Sequence, residues 1–366
     1  MKQVMKIPPR STRRASSAVR LAIIGTGGMA NHHAKMFTQV KGCRMVAACD
    51  IDAARARTFA ETHGIHHSFD DCAKMLQEVE IDAVSVVTPD AAHMPVTLQC
   101  LRAGKHVLCE KPLALNARDA AKMTTAARKA GVVNMVNFSY REWPCIQSAA
   151  LAVRRGDIGE VRHVEASYLQ AWLASKVWGD WRENPTWLWR LSSRHGSKGA
   201  LGDVGVHIID YATFPVGPVS ELYCRLKTFD KAPGGRIGDY RFDVNDSATL
   251  NVEFANGALG VIHTTRWAPG HSNRLALKIC GTHGTIDMDS ERATDRYRIC
   301  RGRDLDRSAW KEVHCKPVPN NYTRFITAIR GGHAAEPDFA RGMEIQRVLD
   351  AAFASDAAHA PVRVRR

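Results

Sequence analysis

The chain has 366 residues, long for a single hydrophobic core, so two domains are expected. Its 45% hydrophobic and 24% charged residues give the balance of a globular protein, and no run approaches the roughly 20 apolar residues of a membrane helix. The net charge of +14 sits largely at the ends, on Lys2, Lys6, Arg10, Arg13, Arg14 and Arg20 and on Arg363, Arg365 and Arg366, which leaves +5 between them. With no motif that reads nucleic acid, this points to solvated tails and no nucleic-acid partner. Arg13-Arg14 resembles a twin-arginine export signal, but the apolar stretch after it contains Arg20 and runs straight into a glycine loop, so a cytoplasmic location is expected. Ten scattered cysteines without a Cys-x-x-Cys pair suit a reducing compartment. Sixteen histidines without His-Glu-x-x-His suggest no metal.

Residues 1–17, rich in Pro, Ser and Arg, are expected to be a disordered basic tail. From Val19 the pattern alternates. Continuous apolar runs at Val19–Ile24, Met45–Cys49, Ala83–Val87, His106–Cys109 and Val132–Val136 predict strands buried on both faces. Helical stretches at Met29–Val40, Ala53–Thr62, Val96–Ala103 and Ala117–Ala130 separate them. Such β-α repeats predict a doubly wound parallel sheet over residues 18–141. The remaining 142–366 read as a second α/β domain. Its strands are expected at Val161–Leu169, Ser220–Phe229, Ala248–Phe254, Leu259–Thr265 and Leu275–Cys280, with an apolar helix at Gly205–Phe214 and a closing pair at Tyr322–Gly331 and Met343–Ser355. Asn256-Gly257 marks a hairpin, because both residues tolerate positive φ. The second sheet is therefore expected to be open and mostly antiparallel.

Gly25-Thr26-Gly27-Gly28-Met29-Ala30 fits G-x-G-x-x-A between a strand and a helix, the setting in which the pattern binds a dinucleotide. Gly25 permits the tight turn, Gly27 lets a pyrophosphate approach the backbone, and Ala30 lets helix and strand pack. Asp50 ends the second strand, where a carboxylate accepts hydrogen bonds from ribose hydroxyls and repels a 2′-phosphate, favouring NAD. Asp50 and Asp52 also compete to cap the following helix, and Arg55 and Arg57 keep NADP open. Thr88, Pro89 and His93, past the third long strand, join the candidate cofactor contacts, as do Glu110 and Lys111 of Glu110-Lys111-Pro112. Lys111 falls beyond a strand's carboxyl end, where the nicotinamide of a doubly wound fold should lie.

The second constellation is Gly199-Ala200-Leu201-Gly202-Asp203-Val204-Gly205-Val206-His207. Asp203 and His207, four apart, would share one face of an α-helix, with Asp210 close to the same stripe. Histidine titrates near neutrality and can take a proton from a hydroxyl as hydride leaves the same carbon; a core histidine packed in an apolar helix is the alternative. Trp172, Trp178, Trp181, Trp187 and Trp189 crowd the segment before it. They suit either a wall of a carbohydrate pocket or packing.

Together, the glycine loop, Glu110-Lys111-Pro112 and Gly-Asp-x-Gly-x-His resemble the Gfo/Idh/MocA oxidoreductases over residues 18–355. The resemblance implies a Rossmann domain followed by an α/β domain whose open sheet forms a homodimer or homotetramer. It implies an NAD(P)-dependent enzyme oxidising a CH–OH group of a sugar, anhydrosugar or cyclic polyol, with Lys111, Asp203 and His207 catalytic. Asn184-Pro185 and Trp189-Arg190 are similar to members acting on levoglucosan and related sugars. Tyr140, Arg141, Trp189 and Arg190 are candidate substrate contacts, although Asn137–Arg141 departs from the more basic segment of many relatives. NAD-dependent redox-neutral glycosidases, closed-cycle sugar oxidoreductases and non-catalytic sugar-binding regulators share the fold and remain alternatives.

Overall fold

A computed structural model describes residues 18–365, so the tail expected over residues 1–17 lies outside it. The described residues divide into two units, 18–139 with 319–346 and 140–318 with 347–365. Among them no helix is long and apolar enough to cross a membrane.

Unit 1 runs β1 (Val19–Ile24), α1 (Gly28–Thr38), β2 (Cys43–Cys49), α2 (Ala53–Thr62), β3 (His67–Phe69), α3 (Cys72–Glu78), β4 (Ala83–Val86), α4 (Asp90–Arg102), β5 (His106–Cys109), α5 (Ala117–Ala130) and β6 (Asn134–Val136). The six strands are all parallel in the order β3-β2-β1-β4-β5-β6. This is the doubly wound Rossmann sheet, whose strand order reverses between β1 and β4 and leaves a crevice past their carboxyl ends. Local chemistry sets the boundaries. Asp52, Asp71 and Asn116 cap α2, α3 and α5 by accepting backbone N–H groups, and Gly131 ends α5 in the left-handed conformation.

Unit 2 contains α6 (Pro144–Arg154), β7 (Val161–Gln170), α7 (Pro185–Leu188), α8 (Val206–Val216), β8 (Val219–Lys227), β9 (Arg236–Ile237), β10 (Tyr240–Arg241), β11 (Ser247–Phe254), β12 (Leu259–Thr265), β13 (Asn273–Gly281), β14 (Gly284–Asp289), β15 (Arg296–Arg301), β16 (Lys311–His314) and β17 (Val362–Arg363). Nine strands form one open sheet, β16-β15-β14-β13-β7-β12-β11-β8-β17. Only β7 and β12 pair in parallel. The strict alternation of buried and exposed residues in β11 and β12 buries one face, on which α8 packs, and leaves the other open. The strands β14 to β16 are absent from the sequence reading because polar and charged residues, Thr285, Asp287 and Asp289 in β14, Arg296 and Arg298 in β15, and Lys311 and Glu312 in β16, break up the apolar runs.

A single division at residues 141/142 is corrected by the return of the chain to unit 1. Helix α9 (Asn321–Gly331) inserts Tyr322, Phe325 and Ile326 into the core that contains Leu21, Ile23, Phe37 and Leu108. The last helix, α10 (Phe339–Ala358), begins in unit 1 and ends in unit 2. Burying each large apolar side chain of α9 contributes about 2–3 kcal/mol. Unit 1 is therefore incomplete without this late segment. Phe325→Ala, at a fully buried position, is expected to cost about 3–5 kcal/mol. Urea unfolding followed by far-ultraviolet circular dichroism checks it, and an unchanged midpoint would show that α9 is dispensable to unit 1.

Candidate active site

The loop after β1 is built by glycine. Gly25 has φ +87°, and a Cβ there would lie 2.6 Å from the Val87 carbonyl oxygen, so the β1 and β4 ends approach as closely as they do only without a side chain. Gly27 and Gly28 differ: a Cβ on either would meet nothing within 4 Å. No side chain caps α1. A helix start with no side-chain cap and clear space beside its two glycines is the arrangement that accepts a phosphate. Ala30 is fully buried, as close packing of helix and strand requires.

Asp50 is almost fully buried at the end of β2. Its carboxylate accepts from the Thr26 N–H at 2.8 Å and hydroxyl at 2.9 Å, from the Asp52 N–H at 3.1 Å, and from Arg55 Nε at 3.1 Å and Nη2 at 2.5 Å. Burial by itself would raise its pKa, but the Arg55, Asp52 and Thr26 hydrogen bonds outweigh it and pull the group down to about 2. Asp52, not Asp50, caps α2. Asp50 thus holds the glycine loop through Thr26 while half-exposed Arg55 covers its outer edge.

Past β4, the Thr88 hydroxyl is buried with no hydrogen-bond partner, and exposed Pro89 starts α4. His93 is fully buried, with Nδ1 2.7 Å from the Pro112 carbonyl and Nε2 2.9 Å from the Thr88 carbonyl. It ties the β4 and β5 loops together. Glu110 is buried as well. Its Oε1 lies 2.8 Å from His33 Nε2 and accepts from the Asn137 amide at 2.7 Å, while Oε2 accepts from the Lys111 N–H at 3.1 Å. A carboxylate only accepts, so His33 donates through Nε2, leaving Nδ1, at 2.8 Å, to the Ser85 hydroxyl. Burial alone would push Glu110 up. The hydrogen bond and attraction of His33, the Lys111 ammonium and the Asn137 amide instead hold it well below the usual carboxylate range. Glu110 and His93 thereby act as struts behind Lys111, which is half-buried and joined to Pro112 by a cis peptide bond. The uncapped helix start, the space over Gly27 and Gly28, and the unpartnered Thr88 hydroxyl fit a bound dinucleotide.

In unit 2 the expected shared face of Asp203 and His207 takes a different form. Leu201–Gly205 is a π-helical turn, and α8 begins only at Val206. The wider turn shifts the angular step between the two residues, a distortion common at functional sites. Gly199, at φ +71°, permits it: a Cβ there would meet the Asn245 carbonyl oxygen at 2.6 Å, and Asn245 accepts from the N–H groups of Ala200 and Leu201, both at 2.8 Å. Asp203 lies 2.9 Å from Arg266 Nη2 and 3.7 Å from Arg190 Nε. His207 is buried with Tyr140 edge-on to its ring at 4.8 Å between centroids. Tyr140 joins Tyr168 (2.5 Å between hydroxyls), and Tyr168 donates to Asn273 at 2.8 Å. Burial and the nearby Tyr140 and Asp203 push the Tyr168 hydroxyl well above its ordinary value, keeping it protonated.

Arg141 departs from its expected substrate role, and of the two readings left open for the tryptophans most fall to packing. Arg141 is buried in a two-point pair with Asp210, at 2.6 and 2.7 Å, over the Phe214 ring, and so is committed to packing. Asp210 is likewise spent. Trp172 and Trp181 are fully buried and Trp178 stacks on Trp187 at 5.4 Å in one core with Leu188, Leu191 and Phe242. Four of the five tryptophans are thus packing residues; Trp189 stands at the edge, 36% exposed, under the Arg190 guanidinium. Tyr168, Arg266 and Asn273 escaped the sequence reading. They lie on or beside alternating strands where nothing local distinguishes them from surface polar residues.

Residues 19–138 match the model of an oxidoreductase family with an NAD-binding Rossmann fold, and residues 146–287 match the GFO/IDH/MocA C-terminal domain. The chain is 28% identical to levoglucosan dehydrogenase of Pseudarthrobacter phenanthrenivorans over 84% of this chain and 85% of that one. It is 31% identical to D-glucoside 3-dehydrogenase of Escherichia coli over 68% and 71%. A solved structure of levoglucosan dehydrogenase with NADH and levoglucosan superposes with a TM-score of 0.83 at 27% identity, covering 96% of this chain and all of that one.

The two kinds of glycine separate experimentally. Gly25→Ala strains the backbone and is expected to cost about 1–3 kcal/mol of stability as well as cofactor affinity. Gly27→Ala is expected to keep the wild-type melting temperature and weaken NAD at least about tenfold. Calorimetric melting and titration decide it; a Gly27→Ala protein that binds NAD normally would remove the phosphate site from this loop. Glu110→Gln is expected to cost about 3 kcal/mol at neutral pH. Because its folded-state pKa is depressed, the contribution of Glu110 is full above the unfolded value near 4.5 and is lost as pH falls below it. Urea unfolding from pH 7 to 3 should therefore show a shallower acid limb in the variant; parallel limbs would mean that Glu110 is not held ionised.

Proposed function

The chain belongs to the Gfo/Idh/MocA oxidoreductase family, and from this premise we propose that it oxidises one hydroxyl of a sugar, anhydrosugar or cyclic polyol with NAD, or reduces the matching carbonyl. The observation that carries the reading is that Lys111, Asp203 and His207 are all present, each braced by buried partners, alongside a glycine loop open over α1.

NAD, when bound, supplies the acceptor for hydride from the reacting carbon. Lys111 donates a hydrogen bond to the oxygen on that carbon and offsets the negative charge that grows there. His207 takes the hydroxyl proton, so that as hydride leaves carbon and proton leaves oxygen the C–O single bond becomes a carbonyl. Asp203 orients His207 or accepts from a neighbouring hydroxyl. Asp50 accepts from the adenosine ribose once Arg55 moves aside, and its charge selects NAD over NADP. Tyr140, Trp189 and Arg190 line the substrate side. The open face of the unit 2 sheet is the subunit contact of a homodimer or homotetramer.

The test is NADH absorbance for purified protein with NAD or NADP against levoglucosan, methyl β-D-glucoside, myo-inositol and simple aldoses. A rise with NAD and one substrate class is expected. Lys111→Ala and His207→Ala should each lower turnover by about 10²–10⁴-fold while still binding NAD. Normal turnover by both variants would overturn the assigned roles. Tight NAD binding without NADH release from any sugar would turn the assignment toward a redox-neutral glycosidase, a closed-cycle oxidoreductase or a regulator.

A further inference from the structure

Arg266, immediately after β12, is sealed inside unit 2 with no exposed surface. Nη2 donates to Asp203 Oδ2 at 2.9 Å, Nη1 donates to the Arg190 carbonyl at 3.1 Å, and the guanidinium stands 5.1 Å over Trp172. Its own N–H donates to the Asp246 carbonyl at 3.0 Å. The charged groups facing it are Asp203, Asp246 and Arg190. Asp246 is buried too, and is paired with buried Lys231 at 2.7 Å. The charges thus form a string, Lys231–Asp246–Arg266–Asp203–Arg190, that starts in the interior and reaches, at Asp203, a carboxylate about a third exposed.

Burial opposes a charged guanidinium and pulls Arg266 below its ordinary value, against the attraction of Asp203 and Asp246. A hydrocarbon of similar volume fills such a site at lower cost to stability, so the arginine is explained better by what it does to Asp203. That carboxylate sits on a π turn, a distortion frequent at functional sites. A fixed charge-assisted donor holds it in one orientation.

We propose that Arg266 is a positioning residue for the reaction, fixing the Asp203 carboxylate from the protein interior; this rests on the assignment of Asp203 to the reacting site. Arg266 does not touch the reacting atoms, and its effect on turnover passes through Asp203 alone.

A double-mutant cycle with NAD and the same four classes of sugar tests this. Asp203→Asn should lower kcat/KM by about 100-fold and Arg266→Gln by a similar factor, whereas the double variant should fall within about threefold of Asp203→Asn. Arg266→Lys should recover part of the loss, and NAD affinity should stay unchanged throughout. Near-ultraviolet circular dichroism of the buried Trp172 environment reports folding, and should Arg266→Gln fail to fold, Arg266→Lys takes its place in the cycle. Multiplying effects in the double variant, or a harmless Arg266 substitution beside a crippling Asp203→Asn, would overturn the inference and leave the assignment of Asp203 standing. A fully active Asp203→Asn, or no turnover of any sugar by the wild type, would overturn that assignment and the inference with it.

Discussion

A carboxylate enclosed by protein survives as an anion only where donors converge on it, and in unit 1 that constraint organises the loops past the sheet. Glu110 has lost nearly all contact with water, and His33, Asn137 and the Lys111 N–H replace it. Each donor comes from a different part of the chain: the dinucleotide helix α1, the end of β6, and the residue beside Glu110 itself. Asn137 is in turn held by Asn321 and Tyr322 of α9, so the late helix is wired into the same network. Displacing any one member would strand a buried polar group, and that penalty fixes Lys111 more firmly than its own contacts would.

Unit 2 applies the same physics with the opposite sign. Its sealed group is a cation, Arg266, and the groups that accommodate it are Asp203, Asp246 and the Arg190 carbonyl. In both units a half-exposed group assigned to the chemistry is backed by a fully buried partner of opposite charge. Exposure makes Lys111 and Asp203 available to a substrate; burial of Glu110 and Arg266 keeps the geometry from relaxing in water. Pre-set charges of this kind need little reorganisation during a reaction.

Residue types that suggest ligand contact can be consumed by packing. Arg141 and Asp210 look like site residues by type and position, but they neutralise each other against Phe214. The crowded tryptophans pack on one another, and the buried indole N–H groups find other acceptors, Trp181 donating to the Leu173 carbonyl and Trp172 to Gln170. Only at the rim, with Trp189 and Arg190, does the cluster keep surface to offer.

The sequence by itself determined what neighbouring residues encode. Apolar runs bounded by turn residues marked β1, β4, β5 and the antiparallel strands β11 and β12. Glycines at fixed spacing marked the loop over α1, because a missing Cβ and an allowed positive φ are properties of single residues. The three motifs that carry the family resemblance are local in the same sense. The tertiary structure alone decided the partners. His33 meets Glu110 across 77 residues and Arg266 meets Asp203 across 63, while α9 crosses the whole of unit 2 in sequence to complete the first core. The π turn at Leu201–Gly205 belongs here too, since Asn245, in the loop before β11, reaches back to accept from the Ala200 and Leu201 N–H groups. No periodicity reports such meetings, because a buried charge is stabilised by whatever the fold brings to it and not by the residues beside it in the chain.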